Sequence, residues 1–555
     1  MSSTPIATAP AGAPDGLALA EEAEALLAAR DIDHAVRIAR RALDAAPDDV
    51  RVWMVVAKAL EAQGDIRSAL DVYNAAGTLS PDMADVTLAL ARIALRTNAN
   101  DSAERMFAAL IEAGRGSAEV LAGLGAAQAR RLDFAAAHAT LRAALEADAG
   151  DPRLWIALAE LLCIEGRQAQ SLVFFEEALR IGPRSATALT GLADALLASG
   201  GDVGQALELS AEAIGAAPPH AAGPLQAEHG RRLLSVGRLA EGWAATLVGV
   251  DPALREDLWV RLAAPRWTPD APLSGRLLLM GEEDAAAEIL LTAAIPELPA
   301  EPPLILAVGQ AWAPLARRSF PAAHVVTRLS RPKWSDREEA AELDTPHLHE
   351  GELLGAWAPL RLVTQRRRPS LDAFARPRPW LVADPGRTTH WRSQLAGLGP
   401  APKVGLAWRL PSADPKRAWE TPTAYAQAQP LSEPGIVLVA FQHGGAMAEA
   451  DWLQVILERP LVQLPGLAPL ELDDRAALAC ALDVVIGPPG VETFLAAACG
   501  AETWIITSPG HWAMLGTETF PWFPSVRVFL ADGPGEWDRA LAELGEALAA
   551  LAARA

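Results

Sequence analysis

Apolar residues in the first half of the chain recur with the spacing of paired amphipathic helices. Equivalent helix-ending positions follow one another at intervals of 34 residues four times and then 35. A regular period of this length indicates a solenoid, because one helix pair cannot bury its apolar face alone and must stack on its neighbours. The positions that define the period are Pro47, Pro81, Arg115, Ala149, Pro183 and Pro218.

Within each period, small residues let the two helices approach closely, and aromatic residues fill the space between units. These positions are Ala69, Ala103, Ala137, Tyr73, Phe107 and Phe175. The pattern resembles the tetratricopeptide repeat and predicts five or six stacked units. The extra residue of the last interval is assigned to the glycine turn at residues 199–202. Such arrays present a groove to a peptide or helical partner, so we expect this half of the chain to bind a protein.

From about Pro252 the period stops, and short apolar runs alternate with helical stretches, which is typical of a mainly parallel sheet. The fold class is therefore a helical solenoid followed by an α/β region of two Rossmann-like lobes. We assign residues 1–16 to a disordered lead-in, 17–250 to the repeats, 251–400 to the first lobe and 401–555 to the second. The predicted strands are Arg276–Met280, Leu304–Val308, Val404–Trp408, Ile436–Phe441, Val484–Ile486 and Thr503–Ile506.

Composition narrows the functional classes. The formal net charge of −21 argues against general nucleic-acid binding, which needs a basic face. No signal peptide is recognisable and no stretch reaches the roughly eighteen apolar residues of a membrane span, so a cytoplasmic protein is expected. Cys163, Cys480 and Cys499 lack the spacing of a disulfide framework or a zinc site, which favours buried structural thiols.

Several motifs of the second half resemble a bacterial glycosyltransferase domain of the GT-B type that follows tetratricopeptide repeats. They are residues 278–283 (LLMGEE), 317–322 (RRSFPA), 403–409 (KVGLAWR), 483–487 (DVVIG), 487–493 (GPPGVET), 495–501 (LAAACGA), 511–517 (HWAMLGT) and 520–529 (FPWFPSVRVF). The variant forms are most similar to the alphaproteobacterial FlmG-type flagellin glycosyltransferases. The resemblance implies capture of flagellin by the repeats and transfer of a sugar to its serine or threonine. The implied donor is a CMP-activated nonulosonic acid such as pseudaminic acid.

A nucleotide-sugar site needs backbone donors at a helix N-terminus and fixed positive charge. The loop with Gly487, Gly490 and Thr493 follows a strand and opens a helix, so it is either a phosphate-binding loop or a tight structural turn. The family usually has an aspartate-threonine pair and a downstream histidine in this loop, where this chain has Pro489, Gly490 and Phe494. Trp408 and Arg409 end a predicted strand, and the Arg409 guanidinium is the best single candidate to stabilise a leaving phosphate.

Other polar residues that follow predicted strands are further candidates. Gln442 and His443 would face the donor cleft, and His511 and Trp512 would contact a nucleotide base. On the acceptor side, the candidates in the altered glycine loop are Glu282 and Asp284. The catalytic base stays open among three residues, which are candidates by position. They are Glu492, Glu282 and His443.

We expect no metal and no cofactor apart from the nucleotide-sugar substrate. The Asp-x-Asp pair at Asp31 and Asp33 lies in a repeat turn, where it caps a helix, and the liganding types at His347, His349 and Glu350 have no second cluster. The basic run Arg366–Arg368 is interpreted as a solvated linker. The alternative function is a non-catalytic flagellin-binding scaffold or chaperone whose transferase domain has decayed.

Overall fold

A computed structural model describes residues 15–80, 83–257, 265–268, 275–281, 285–298, 304–328, 354–374, 378–409, 421–422, 424–442, 450–465 and 472–554. The chain divides into two compact units. The first, here the repeat unit, contains the residues up to 164 together with 170–192 and 212–222. The second, here the α/β unit, contains residues 165–169, 193–211 and 223–555.

The predicted period is confirmed by the helices. The described helices before the first strand are α1 Gly16–Ala28, α2 Ile32–Ala45, α3 Val50–Gln63, α4 Ile66–Leu79, α5 Ala84–Arg96, α6 Asn100–Glu112, α7 Ala118–Arg130, α8 Phe134–Ala147, α9 Pro152–Ile164, α10 Gln168–Ile181, α11 Ala186–Ala198, α12 Val203–Ala216, α13 Pro219–Ser235 and α14 Leu239–Asp257. The first helices of successive pairs, from α1 to α11, begin 34 residues apart. The predicted extra residue lies in the turn between α11 and α12, which has four residues where the turn between α9 and α10 has three.

Local chemistry explains where these helices begin and how they pack. The second helices α2, α4 and α8 each start after an aspartate whose carboxylate accepts a backbone N–H three residues later. The sequence predicted that the pair Asp31 and Asp33 caps a helix. In the structure Asp31 is the cap of α2, and Asp33 lies in its first turn. Ala69, Ala103 and Ala137 have no exposed surface, as expected for residues at a close helix contact.

The strands of the α/β unit form two parallel sheets. Described strands of the first are β1 Arg276–Met280, β2 Leu304–Gly309, β3 Ala323–Arg328 and β4 Leu354–Pro359, in the order β3-β2-β1-β4. Those of the second are β5 Lys403–Leu406, β6 Val437–Ala440, β7 Leu461–Val462, β8 Val484–Gly487, β9 Thr503–Thr507 and β10 Arg527–Leu530, in the order β10-β9-β8-β5-β6-β7. In this second sheet the chain order of the strands reverses between β8 and β5. The same strand arrangement is found in doubly wound dinucleotide-binding folds.

The helices that connect these strands cover the sheets. They are α15 Ala285–Thr292, α16 Ala313–Ser319, α17 Leu360–Arg367, α18 Pro385–Ala396, α19 Ala424–Leu431, α20 Ala450–Leu457, α21 Leu472–Ala479, α22 Val491–Ala498 and α23 Asp538–Ala552. The six predicted strands correspond to β1, β2, β5, β6, β8 and β9, with ends that differ by up to two residues. The strands β3, β4, β7 and β10 had not been predicted. One of them, β7, has only two residues, too few for an alternating pattern.

One apolar core connects the two sheets. It includes Leu279 from β1, Leu290 from α15, Phe494 from α22 and Ile505 from β9. The family motif at 520–529 contributes to this core, where Trp522 packs edge-on against Trp243 and Phe374. The aromatic residues of that motif therefore stabilise the fold.

The basic run at 366–368 is solvated at Arg366 and Arg367, as predicted, but it is not a linker, and the prediction was wrong for the buried Arg368. Arg366 and Arg367 end helix α17, and Arg368 is 8% exposed. The Arg368 guanidinium donates a hydrogen bond of 2.7 Å to Glu297, and its backbone carbonyl accepts the indole N–H of the fully buried Trp243 at 2.9 Å. A cation that gains an acid partner and apolar neighbours can be buried, which the spacing of charges along the chain does not reveal.

Among the described helices, none combines the length and the hydropathy needed to cross a membrane.

Candidate functional site

The repeat unit contains a cavity of about 510 Å³ lined mainly by α1, α3 and α5. Met54, Val55 and Ala89 are buried apolar residues of its wall, and Leu88 is partly exposed to it. Solenoid arrays use such grooves to hold partners. We call this cavity the repeat groove.

Charged side chains surround the repeat groove, and its cations are paired. The Lys58 ammonium lies 2.8 Å from Glu24, and the Arg92 guanidinium lies 3.4 Å from Glu61. Two acids of the lining, Glu21 and Asp85, form no ion pair within 4 Å among the residues that the structure describes, and Glu21 lies near enough to the lining cation Arg51 to interact with it electrostatically. The groove therefore combines an apolar wall with carboxylates that are not all held in close ion pairs, a surface complementary to an apolar segment that carries a basic side chain.

In the α/β unit, the strands of the second sheet are parallel, so their carboxyl ends share one edge. Between β5 and β8 the chain order of the strands reverses, and this switch point is where doubly wound sheets bind ligands. Trp408 and Arg409 follow β5, Gln442 follows β6, and Glu492 lies in the first turn of α22 after β8. Four of the predicted site residues thus meet at the switch point.

Gln442 connects these residues. Its side-chain oxygen accepts the backbone N–H groups of Trp408 at 2.9 Å and of Arg409 at 3.1 Å. Its amide nitrogen donates to a carboxylate oxygen of Glu492 at 2.8 Å. Gln442 has no exposed surface, so this side chain fixes the start of the β5 loop relative to α22 and does not face a cleft.

Arg475 of α21 lies beneath this connection. Its guanidinium donates a hydrogen bond of 2.7 Å to the backbone carbonyl of Phe441, the residue before Gln442. Burial lowers the pKa of Arg475 to about 10, and the negative charges of Glu492 and Asp474 oppose that shift. We call Trp408, Arg409, Gln442, Arg475 and Glu492 the switch-point cluster. Sequence reasoning missed Arg475, since a basic residue in a short helix is typical of a solvated face.

Arg409 and Trp408 differ in exposure. Arg409 is partly exposed, whereas Trp408 is 4% exposed and belongs to the core of the second sheet. The Trp408 carbonyl accepts a hydrogen bond of 3.1 Å from the buried Gln427. Within this pair, Arg409 is therefore the residue that solvent reaches.

The loop of Gly487, Gly490 and Thr493 is held by its own contacts. A Cβ at Gly487 would lie 2.8 Å from the carbonyl oxygen of Ala407, so glycine is needed there for close packing on β5. The Thr493 hydroxyl is buried. It donates a hydrogen bond of 2.7 Å to the carbonyl of Pro488 and accepts one of 3.1 Å from the backbone N–H of Gly490. These contacts match a tight structural turn, the second of the two interpretations left open by the sequence.

His511 and Trp512 lie after β9, apart from the hydrogen bonds of the switch-point cluster. The His511 Nδ1 accepts the backbone N–H of Ala513 at 3.2 Å and so caps a short 3-10 turn. Its ring packs against Phe494 and Phe520, with centroids 6.3 and 5.9 Å away. Trp512 is partly exposed and tilted against His511.

Three predicted candidates, Glu282, Asp284 and His443, lie outside the described residues. A nearby acid that sequence reasoning missed is Glu288 of α15, which is 2% exposed and has a carboxylate oxygen against Gly281 at the end of β1. Glu288 follows the predicted candidate Asp284 by four residues, and this proximity was the available signal. Among described residues, no group of three or more His, Cys, Asp or Glu side chains could hold a metal ion.

Comparisons with known proteins support the repeat array. Two tetratricopeptide repeat families match the chain, at residues 60–129 and 21–84. Protein FlbA of Caulobacter vibrioides is 31% identical over 506 residues, which cover 90% of this chain and 84% of FlbA. The chain belongs to the FlbA family. The match to FlbA extends over both units, whereas the repeat families match only part of the first.

Two of the solved structures that are similar to this FlbA-family chain are tetratricopeptide repeat proteins. A tetratricopeptide repeat protein from Parabacteroides merdae is 15% identical, with 38% of this chain and 82% of that chain covered and a TM-score of 0.35. A thermophilic tetratricopeptide repeat protein of Thermus thermophilus is 18% identical, with 33% of this chain and 97% of that chain covered and a TM-score of 0.30.

Proposed function

We propose that this FlbA-family protein is a protein O-glycosyltransferase that holds flagellin in its repeats and transfers a nucleotide-activated sugar to flagellin serine or threonine. The meeting of four predicted residues at the switch point of a doubly wound sheet carries the proposal, since such sheets bind nucleotides there. The resemblance of the second half to GT-B glycosyltransferases favours a CMP-activated nonulosonic acid such as pseudaminic acid as donor.

In this proposal, Arg409 stabilises the charge that develops on the leaving phosphate. Its side chain is partly exposed at the end of β5, and its backbone N–H is held by Gln442. A donor of this kind contributes about 2.7–4 kcal/mol to lowering the barrier in comparable oxyanion sites. Gln442 is then a positioning residue, because it acts through Arg409.

The repeat groove is proposed to hold the acceptor protein. Its apolar wall and the carboxylates of Glu21 and Asp85 suit an apolar flagellin segment with a lysine or arginine beside it. Holding flagellin in this way raises the effective concentration of its acceptor residues. The binding step is expected to weaken with salt, because salt screens the attraction between these carboxylates and a basic side chain.

A scaffold without catalysis is the second candidate, and the buried contacts of the α/β unit favour it. The Glu492 carboxylate is 3% exposed and accepts from Gln442, and the Thr493 hydroxyl is bonded within its own loop. Neither group offers an obvious base or phosphate ligand. A scaffold of this kind would bind flagellin and leave its mass unchanged.

Purified components distinguish the two candidates. The full chain is incubated with unmodified flagellin and a CMP-activated nonulosonic acid, and flagellin is weighed by intact-mass spectrometry. Calorimetry measures flagellin binding separately. The transferase adds whole sugar masses, Arg409→Ala abolishes the addition without weakening binding, and the exposed control Arg554→Ala changes neither. Binding without any added mass by the wild-type chain would favour the scaffold.

The groove is tested with a pair of charge reversals on one helix. Glu21→Lys inverts a carboxylate of the groove lining, whereas Glu22→Lys inverts an exposed neighbour that does not line it. Flagellin affinity should fall for the first variant and stay near wild type for the second. Equal affinities would exclude the groove as the acceptor site while leaving the transferase assay unaffected.

A further inference from the structure

Two of the three cysteines lie side by side in the α/β unit. Cys480 follows the last residue of α21 and precedes β8, and Cys499 follows the last residue of α22 and precedes β9. The two helices pack against each other. Their ends bring the Cys480 thiol 3.9 Å from the carbonyl oxygen of Cys499, and the two thiols are close enough for each to shift the pKa of the other.

The surroundings make the two thiols unequal. The interaction with the Cys499 thiol lowers the pKa of Cys480, burial opposes this shift, and the nearby Arg392 guanidinium supports it. The Arg392 guanidinium also donates a hydrogen bond of 3.2 Å to the Cys480 carbonyl, and this contact holds the cation beside Cys480. The same interaction between the thiols, together with burial, raises the pKa of Cys499. Cys480 and Cys499 are both partly exposed, so solvent reaches the pair, and Cys480 is the thiol of the two that ionises more readily.

We propose that Cys480 and Cys499 form a dithiol site that hydrogen peroxide converts to an intramolecular disulfide. The Cys480 thiolate attacks one peroxide oxygen, the O–O bond breaks, and the departing hydroxide takes up a proton to leave as water. Cys480 is then a sulfenic acid. The Cys499 sulfur attacks this sulfur, the S–S bond forms, the S–O bond breaks, and a second water leaves. The two thiols lose two electrons, and the peroxide gains them.

The third cysteine is an internal contrast. Cys163 of the repeat unit is buried, and its thiol lies 3.3 Å from the hydroxyl of Ser171. The chain contains three cysteines, so Cys163 has no further thiol of its own chain to pair with once Cys480 and Cys499 are joined. Peroxide should therefore distinguish the pair from Cys163.

The disulfide would tie together the two helices that supply the buried charges of the switch-point cluster. Helix α21 carries Arg475 and helix α22 carries Glu492. Joining their C-terminal ends restricts the movement of one helix past the other. The proposal does not depend on whether the α/β unit transfers sugars, because both thiols and both helices are present in either case.

The test uses the full-length chain, reduced and then treated with hydrogen peroxide. Remaining thiols are alkylated with N-ethylmaleimide under denaturing conditions, and the chain is weighed and peptide-mapped. The expected product has lost two hydrogens, takes up one maleimide in place of three, and yields a linked peptide of Cys480 and Cys499. The Cys163→Ser control should form the same link.

Two serine variants test the order of the steps. Cys499→Ser should leave a sulfenic acid on Cys480 that dimedone traps, and Cys480→Ser should yield no dimedone adduct on Cys499. Thermal unfolding of the reduced variants checks that they are folded, and the peptide map of the wild-type chain tests the link without any variant. The proposal is overturned if Cys480 and Cys499 remain thiols, if each is oxidised separately, or if disulfides form only between chains.

Discussion

The repeat unit and the α/β unit differ in where they place charge. Among the described residues of the repeat unit, the buried polar side chains are uncharged: Ser68, Gln128 and Ser171. The α/β unit buries a set of charged residues, which are Arg232, Glu288, Arg361, Arg368, Lys403, Asp473, Asp474, Arg475 and Glu492. The first unit therefore keeps its charges at the surface, and the second places some of them in its interior.

Exposed charges and buried charges affect a protein in different ways. Exposed pairs such as Lys58 with Glu24 contribute at most about 1 kcal/mol, so they affect binding specificity more than folding. A buried charge costs several kcal/mol unless it is paired, and its partners must keep a defined geometry. We infer that the repeat unit tolerates changes of surface charge, whereas the α/β unit depends on particular polar contacts around the switch point.

The largest expected effect comes from removing a buried charge. Arg475→Ala takes the cation away from the buried carboxylates of Glu492 and Asp474 and should destabilise the α/β unit by about 3–5 kcal/mol. Lys58→Ala, the exposed counterpart in the repeat unit, should cost about 0–1 kcal/mol. Hydrogen exchange read by peptide assigns each loss to its unit. Similar losses for the two variants would remove the distinction between the units.

Two glycines with positive φ give the next comparison. Gly516 of the α/β unit has φ +79°, and a Cβ there would lie 2.5 Å from the backbone nitrogen of Gly237. Gly114 of the repeat unit has φ +72° and open space around it. Both alanine variants incur backbone strain of about 1 kcal/mol, and Gly516→Ala should cost about 1–3 kcal/mol more. Denaturant titrations compare the two, and equal costs would mean that the contact of Gly516 with Gly237 relaxes freely.

A buried glutamine in each unit provides a third comparison. Gln442→Leu removes the acceptor of two backbone N–H groups and the donor to Glu492, so it should cost about 1–3 kcal/mol and reduce sugar transfer. Gln128→Leu removes one bond of 2.9 Å from Thr140 and should cost about 1 kcal/mol without affecting transfer. Unfolding curves and the intact-mass assay measure these effects. A Gln442→Leu chain with full activity would show that Gln442 does not position Arg409.

The smallest effect concerns acid sensitivity. Burial lowers the pKa of His229 from its ordinary 6.5, and the cations of Arg232 and Arg238 add to this shift. The unfolded chain therefore binds a proton at a higher pH than the folded chain, and stability should fall as the pH drops below 6.5. His229→Gln should remove this component from unfolding curves measured across the range. An unchanged pH dependence would assign the acid sensitivity to other groups.

The sequence predicted positions well where one local rule decided them. The 34-residue spacing anticipated the helix pairs, and the strand ends anticipated that Trp408, Arg409 and Gln442 would lie at one edge. The bond from Gln442 to Glu492 was beyond prediction, because it depends on β5 lying between β6 and β8. The burial of Arg368 was likewise hidden, since Glu297 and Trp243 are distant in the chain.

Intact-mass spectrometry of flagellin from living cells tests the central claim most directly. Flagellin is compared between cells that carry the gene, cells that lack it, and deleted cells supplied with the wild-type or the Arg409→Ala chain. The account predicts that deletion removes mass units of nonulosonic-acid size and that the wild-type gene restores them while Arg409→Ala does not. Flagellin of the same mass in all four strains would contradict transfer to flagellin by the α/β unit.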